Sequence, residues 1–182
     1  NDHLDNLPML CGPMANGNVL LVWTENQANL LLGTNGPGAD TVWWCEWNAA
    51  ARSWSAPQIL ADGLTYRLSQ SLAGAGQTAV YAWSQDLDGL IANDTDQEVF
   101  YAICTNGSWG APVQFTPTGV ANKNVRAAIS ATGDIYLLWE SDLNLVMNCN
   151  FSGTNRLVRS AARTVGFADY ALTLGPAANL VL

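Results

Sequence analysis

A single apolar strand, closed by tryptophan and followed by polar residues, is written three times in this chain. Asn18-Val19-Leu20-Leu21-Val22-Trp23-Thr24-Glu25-Asn26 returns as Thr78-Ala79-Val80-Tyr81-Ala82-Trp83-Ser84-Gln85-Asp86, and again as Asp134-Ile135-Tyr136-Leu137-Leu138-Trp139-Glu140-Ser141-Asp142. The tryptophans stand 60 and then 56 residues apart. A second mark keeps step, because Trp54-Ser55-Ala56-Pro57-Gln58 matches Trp109-Gly110-Ala111-Pro112-Val113, 55 residues on. Self-similarity at such a period means one supersecondary unit copied in series, each copy burying its apolar faces on its neighbours.

Each unit reads as four short strands. In the second, Arg67–Ala73 alternates, Gly74–Gln77 turns, and Thr78–Trp83 is a β-branched and aromatic run. A polar loop over 84–97 follows, then a strand over Glu98–Cys104, a tight hairpin at Asn106-Gly107, and an outer strand over Trp109–Phe115, where Pro112 is tolerable at an edge. The first unit repeats the plan over 7–11, 19–23, 41–47 and 54–60, and the third over 125–130, 135–140, 143–150 and about 157–164. Residues 169–175 and 179–182 read as two strands of a fourth unit, stopping where the next tryptophan is due. No segment carries a sustained i, i+3, i+4, i+7 apolar pattern with caps, so helix is expected to be nearly absent.

Four-stranded antiparallel units of this length in series predict an all-β fold, a β-propeller of about three and a half blades. The blades fall at about 7–60, 67–115 and 125–164, with half a blade at 169–182. The Trp-Ser-Ala-Pro strand, the alternating strand and the apolar strand ending in tryptophan resemble the sialidase-like (BNR-type) propeller repeats of secreted bacterial proteins. The likeness runs through essentially the whole chain, although the strict Ser-x-Asp-x-Gly-x-x-Trp box of that superfamily is absent. Three and a half blades form an incomplete ring with unpaired edges, so the expected partner is a set of further blades, from a cleaved segment or a second copy.

Charge and cysteine content narrow the partners. The net charge is −8 and Lys123 is the only lysine. That balance argues against nucleic acid and against an anionic membrane surface. No run of about 18 apolar residues predicts membrane insertion. Few lysines, many Asn, Thr, Trp and Gly and clean alternation give the look of an exported protein, so an extracellular or cell-surface location is expected. The N-terminus lacks a signal-peptide pattern and an initiator Met, which reads as a mature product or fragment. Cys11, Cys45, Cys104 and Cys149 form no CxxC pair and have no neighbouring histidine, which argues against zinc. Whether they are buried thiols or disulfides is open from the sequence.

The candidate chemistry lies in the loops after the repeated tryptophan. Asp86-Leu87-Asp88-Gly89 and Asn93-Asp94-Thr95-Asp96 cluster carboxylates in a Gly-containing loop, so Asp86, Asp88, Asp94 and Asp96 are candidate ligand residues and a candidate calcium set. No other cofactor is indicated. Asn26, Asp86 and Asp142 recur in phase and suggest an Asx turn capping each strand end. Trp23, Trp83 and Trp139 read as core between blades. Trp43 and Trp44 point to opposite faces of one strand, which makes them the aromatic ligand candidates. Their counterparts are Phe100 and Tyr101 in the second unit but Val146 and Met147 in the third, a decay that favours protein contact over repeated sugar pockets. Against catalysis, His3 is the only histidine, and Arg156, Arg159 and Arg163 crowd one outer strand. Gly33–Gly38 follows no strand-to-helix pattern that would cradle phosphate. Asn93, Asn106 and Asn150 head glycosylation sequons. The expectation is a non-enzymatic binding and assembly module, with a glycan-binding lectin or a glycoside hydrolase as the alternative.

Overall fold

The computed structural model describes residues 10–26, 40–65, 67–88, 93, 95–142, 144–151, 156–160, 173–174 and 180–181. The strands are β1 (Leu10–Pro13), β2 (Val19–Asn26), β3 (Asp40–Asn48), β4 (Ser53–Trp54), β5 (Gln58–Leu64), β6 (Arg67–Ala75), β7 (Thr78–Asp86), β8 (Gln97–Thr105), β9 (Ser108–Trp109), β10 (Val113–Gln114), β11 (Asn122–Ile129), β12 (Ile135–Ser141), β13 (Asn144–Cys149), β14 (Arg156–Ser160), β15 (Thr173–Leu174) and β16 (Leu180–Val181). Among the described residues the only helical turn is a 3₁₀ turn at Ala15–Gly17. His3, the glycine-rich 33–38 stretch, Asp94 and Arg163 lie outside the described residues.

Pairing is antiparallel throughout. β1 to β5 form the first sheet, β6 to β10 the second, β11 to β14 the third, and β15 pairs with β16. The innermost strands adjoin in order: β1 meets β6, β6 meets β11, and β11 meets β15. Side-chain hydroxyls stitch these neighbours, since Ser69 Oγ accepts from Val125 N at 3.1 Å and Ser71 Oγ from Ala127 N at 2.9 Å. Gly74 is needed where β6 meets β1, because a Cβ there would stand 2.5 Å from the Pro13 carbonyl oxygen.

The sheets stack face to face, with the second in the middle. Leu20, Val22, Val42, Trp44 and Ala61 of the first sheet pack on Ala79, Tyr81, Trp83, Ala102 and Cys104 of the second. The second sheet's other face gives Val80, Ala82 and Val99 to Val125, Ala127, Ile135, Leu137 and Trp139 of the third. A strand covered on both sides loses its polar alternation, and β7 is buried at every position after Thr78. Alternation survives in β2, where even-numbered residues are buried and odd-numbered ones half-buried.

Two sequence expectations need correction. The outer strand of the first and second units is not continuous but breaks at Ala-Pro into β4/β5 and β9/β10. Trp54 pairs with Trp47 and Gln58 with Trp44, so the register slips by one residue across the break. Trp109 pairs with Cys104 and Val113 with Tyr101, which is the same slip. Proline has no N–H to donate and a fixed φ, so the ladder lets go there. The second loop is also shorter than its polar sequence suggests, because Ser84, Gln85, Asp86 and Gln97 continue the ladder. Asn106 and Gly107 both take positive φ in the predicted tight hairpin. Cys45, Cys104 and Cys149 are free thiols.

Candidate functional site

Polar burial is concentrated at one end of the sheets, where each second strand finishes and each inner strand begins. Asp40, Asp86, Glu98 and Glu140 lie there with at most 4% exposure. Carboxylates reach such positions only with partners. Asp40 Oδ1 accepts from Asn26 Nδ2 at 2.8 Å, and Glu140 Oε1 accepts from Asn124 Nδ2 at 3.0 Å. Glu98 Oε2 accepts from Thr116 Oγ1 at 2.5 Å and Asn122 Nδ2 at 3.0 Å. Burial pushes the Glu98 carboxyl above its ordinary range, partly offset by those two hydrogen bonds.

Two of the three repeated tryptophans, Trp83 and Trp139, belong to the same network. Trp83 Nε1 donates to Gln85 Oε1 at 3.1 Å, Gln85 Nε2 donates to Thr65 Oγ1 at 2.5 Å, and the Thr65 hydroxyl donates to the Asp86 carbonyl. Trp139 Nε1 donates to Asn122 Oδ1 at 3.2 Å, and Asn122 leads on to Glu98. These two indoles therefore fill the space between sheets and spend their single donor on the polar end, whereas Trp23, read from the sequence as core between blades, is only half-buried.

The in-phase residues Asn26, Asp86 and Asp142 do not share one Asx turn. Asn26 reaches across the ladder to Asp40, whereas Asp142, at φ 50, accepts from Ala121 N at 3.3 Å and so fastens the connector entering β11. At Asp86 the carboxylate joins Asp88 and Asp96, with an oxygen of each within 4.8 Å of the others. The two ends of the loop are drawn together by Asp88 N, which donates to Asp96 Oδ2 at 3.0 Å, and by Leu87 N, which donates to Asp96 O at 3.2 Å. Gln97, Glu98, Asp40 and Glu140 were not singled out from the sequence. Their signal is a polar side chain within an otherwise apolar strand.

Trp44 is buried between the first two sheets and meets Trp109 edge-on, with centroids 6.2 Å apart. Trp43 stands on the opposite face, paired with Trp23. That outward face of the first sheet carries Val19, Leu21, Trp23, Trp43, Trp47, Trp54 and Ile59 in register. Trp54 and Ile59 are 49% and 50% exposed. At the opposite end of the first two sheets, Met14, Asn16, Asn18, Glu46, Gln77 and Asn106 line an open cleft of about 240 Å³. Among the sequons, Asn93 Nδ2 is held by Asp88 and Asn150 Nδ2 by Asp134.

No family model matches the sequence, and no curated protein matches it. Solved structures do match in shape. A protein of unknown function from Dyadobacter fermentans superposes with a TM-score of 0.63 at 12% identity, over 99% of this chain and 62% of its own. Trypanosoma rangeli sialidase gives 0.50 at 12% identity, over 85% of this chain and 30% of its own. A thermostable family-43 glycoside hydrolase gives 0.50 at 7% identity, over 87% of this chain and 59% of its own. The chain thus spans less than two thirds of the length of each. At these identities the likeness is one of fold, that of an all-β chain of antiparallel sheets similar to propeller-type glycosidase structures.

Proposed function

We propose that this chain is a β-propeller segment of about three and a half blades that serves as a non-enzymatic binding and assembly module outside the cell or on its surface. A further sheet, from another segment or a second copy, covers the outward face of its first sheet. The observation that supports this is positional. Tyr81, Trp83, Phe100 and Trp109 of the second sheet pack on the sheet before it, as do Leu137, Trp139 and Val146 of the third. The same positions in the first sheet are Leu21, Trp23, Trp43 and Trp54, the last half exposed. A face built for a preceding sheet in two copies of a repeat is built for one in the third. An aromatic patch of this kind marks an interaction surface.

Static light scattering on the purified chain tests the reading. Association is expected, and Trp54→Lys together with Ile59→Lys should disperse it while leaving the far-ultraviolet circular dichroism spectrum unchanged. Both side chains are already half exposed, so the charge strikes the interface rather than the fold. A well-folded monomer in the parent chain would refute the reading.

A second reading, a glycan-binding lectin or glycoside hydrolase, is favoured by the sialidase and glycoside hydrolase among the fold neighbours and by the buried Glu98. Paired carboxylates with one in a dry setting are what glycoside hydrolysis requires. Glycan-array binding, or turnover of fluorogenic glycosides that is lost in Glu98→Gln, would favour it over assembly.

A further inference from the structure

We infer that the carboxylates of Asp86, Asp88 and Asp96, joined by the side-chain carbonyl of Gln97, form a calcium site at the β7–β8 end of the second sheet. Asp86 and Gln97 are direct partners across that ladder. Side chains so opposed leave the sheet on the same face with Cβ atoms about 5 Å apart, which sets the Gln97 amide beside the Asp86 carboxylate. Asp88 and Asp96 close over them from the two ends of the loop, tied by the Asp88 N to Asp96 Oδ2 hydrogen bond. Asn93 Nδ2 steadies Asp88 from outside through Oδ2, at 3.1 Å.

Acidic turns are common, and three aspartates alone would be a solvated loop. The separate observation is at Gln97. This side chain is only 5% exposed, and its Oε1 is sealed from solvent with no hydrogen-bond donor in reach. Asp96 Oδ1 is sealed in the same way. Buried acceptors in native proteins find a partner, and a cation answers several of them at once. The set is all oxygen, with neither nitrogen nor sulfur, which selects a hard ion over zinc or copper. The carboxylate oxygens lie within 4.8 Å of one another, the span of two ligands facing across an ion about 2.4 Å from each. Magnesium holds its ligands closer, at about 2.1 Å, and keeps most of its water, whereas a mixed shell of carboxylates, one amide and water suits calcium. The site is independent of whether the outward face of the first sheet takes a partner.

Calorimetric titration of the chelator-treated chain with calcium chloride, and separately with magnesium chloride, tests the assignment, with thermal unfolding as a second readout. Calcium should bind with a Kd between about 10⁻⁵ and 10⁻³ M and raise the Tm, with magnesium at least about tenfold weaker. Asp88→Asn, at an exposed position outside the strands, should weaken calcium at least about tenfold, as should Asp96→Asn. Gln97→Met, which keeps the shape and removes the hard oxygen, should also weaken it, with its metal-free Tm verifying the fold. Asp62→Asn, an exposed acid on the first sheet, should leave calcium binding unchanged. No saturable heat up to about 10 mM calcium overturns the site. So does an Asp88→Asn chain that binds like the parent, an Asp62→Asn chain that loses as much, or magnesium binding as tightly as calcium.

Discussion

Replacing Trp83 by phenylalanine tests the claim that the repeated tryptophan anchors the polar end as well as filling the core. Trp83 is fully buried and stacks on Tyr81 and Phe100, with ring centroids 5.1 and 5.7 Å away. Phenylalanine keeps the stacking but removes the donor to Gln85 Oε1. Leaving that buried acceptor unmet costs about 1–3 kcal/mol. The benzene ring is also about 40 Å³ smaller than indole, which at about 24 cal/mol per Å³ of residual cavity adds about 1 kcal/mol. The sum, about 2–4 kcal/mol, should lower the Tm by about 4–16 °C in a chain of this size. Urea unfolding followed by far-ultraviolet circular dichroism at fixed protein concentration measures it, free of the lost tryptophan emission. The double variant Trp83→Phe/Gln85→Met should cost less than the two single changes added together, because the acceptor leaves with its donor. A Trp83→Phe loss below about 0.5 kcal/mol, or strictly additive single changes, would refute the anchoring argument.

Two other predictions follow from local geometry. Asp134 accepts from Asn150 Nδ2 and Thr132 Oγ1, each at 2.8 Å, and these bonds hold its carboxyl below the ordinary range. A lowered folded-state pKa contributes stability above the unfolded value of 3.8, and that stability is lost as pH falls through the folded value. Asp134→Asn should therefore be less stable than the parent at neutral pH, with the gap closing as pH falls below the ordinary aspartate range in an acid titration of the unfolding midpoint. Gly74→Ala, which drives a Cβ to 2.5 Å from a backbone oxygen, should cost about 1–3 kcal/mol in urea unfolding. Gly12→Ala meets only the flexible Leu72 side chain at 3.0 Å and should cost less than about 1 kcal/mol.

The strands were legible because their apolar positions alternate and their turns carry Gly and Asn, so the ladders from β2 to β3 and from β7 to β8 fall close to the sequence reading. What escaped was the polar end. Ser84, Gln85 and Asp86 look like loop residues, since local polarity cannot distinguish a solvated turn from a strand end buried by the next sheet. Burial of Glu98 depends on Asn122, 24 residues on and in another sheet, and no local pattern records that meeting. The Ala-Pro slip was half visible, because proline marks the break but the one-residue shift appears only in the pairing. Trp44 was a ligand candidate from its exposure-neutral alternation, and only the stacking of the second sheet shows that it is core. Asp86, Asp88 and Asp96 come together within one short loop, whereas the proposed part of Gln97 rests on the register.

The Ala-Pro slip has a consequence for how molecules of this kind meet. An outermost strand is where a sheet offers free backbone groups, and a long straight rim would recruit any extended chain into uncontrolled fibrous growth. Here the rim of the first two sheets is cut into short pieces, offset by a residue and interrupted by an imino acid with nothing to donate. Edge-on polymerisation is thereby discouraged at the perimeter, which would confine the proposed association to the aromatic flank of the first sheet.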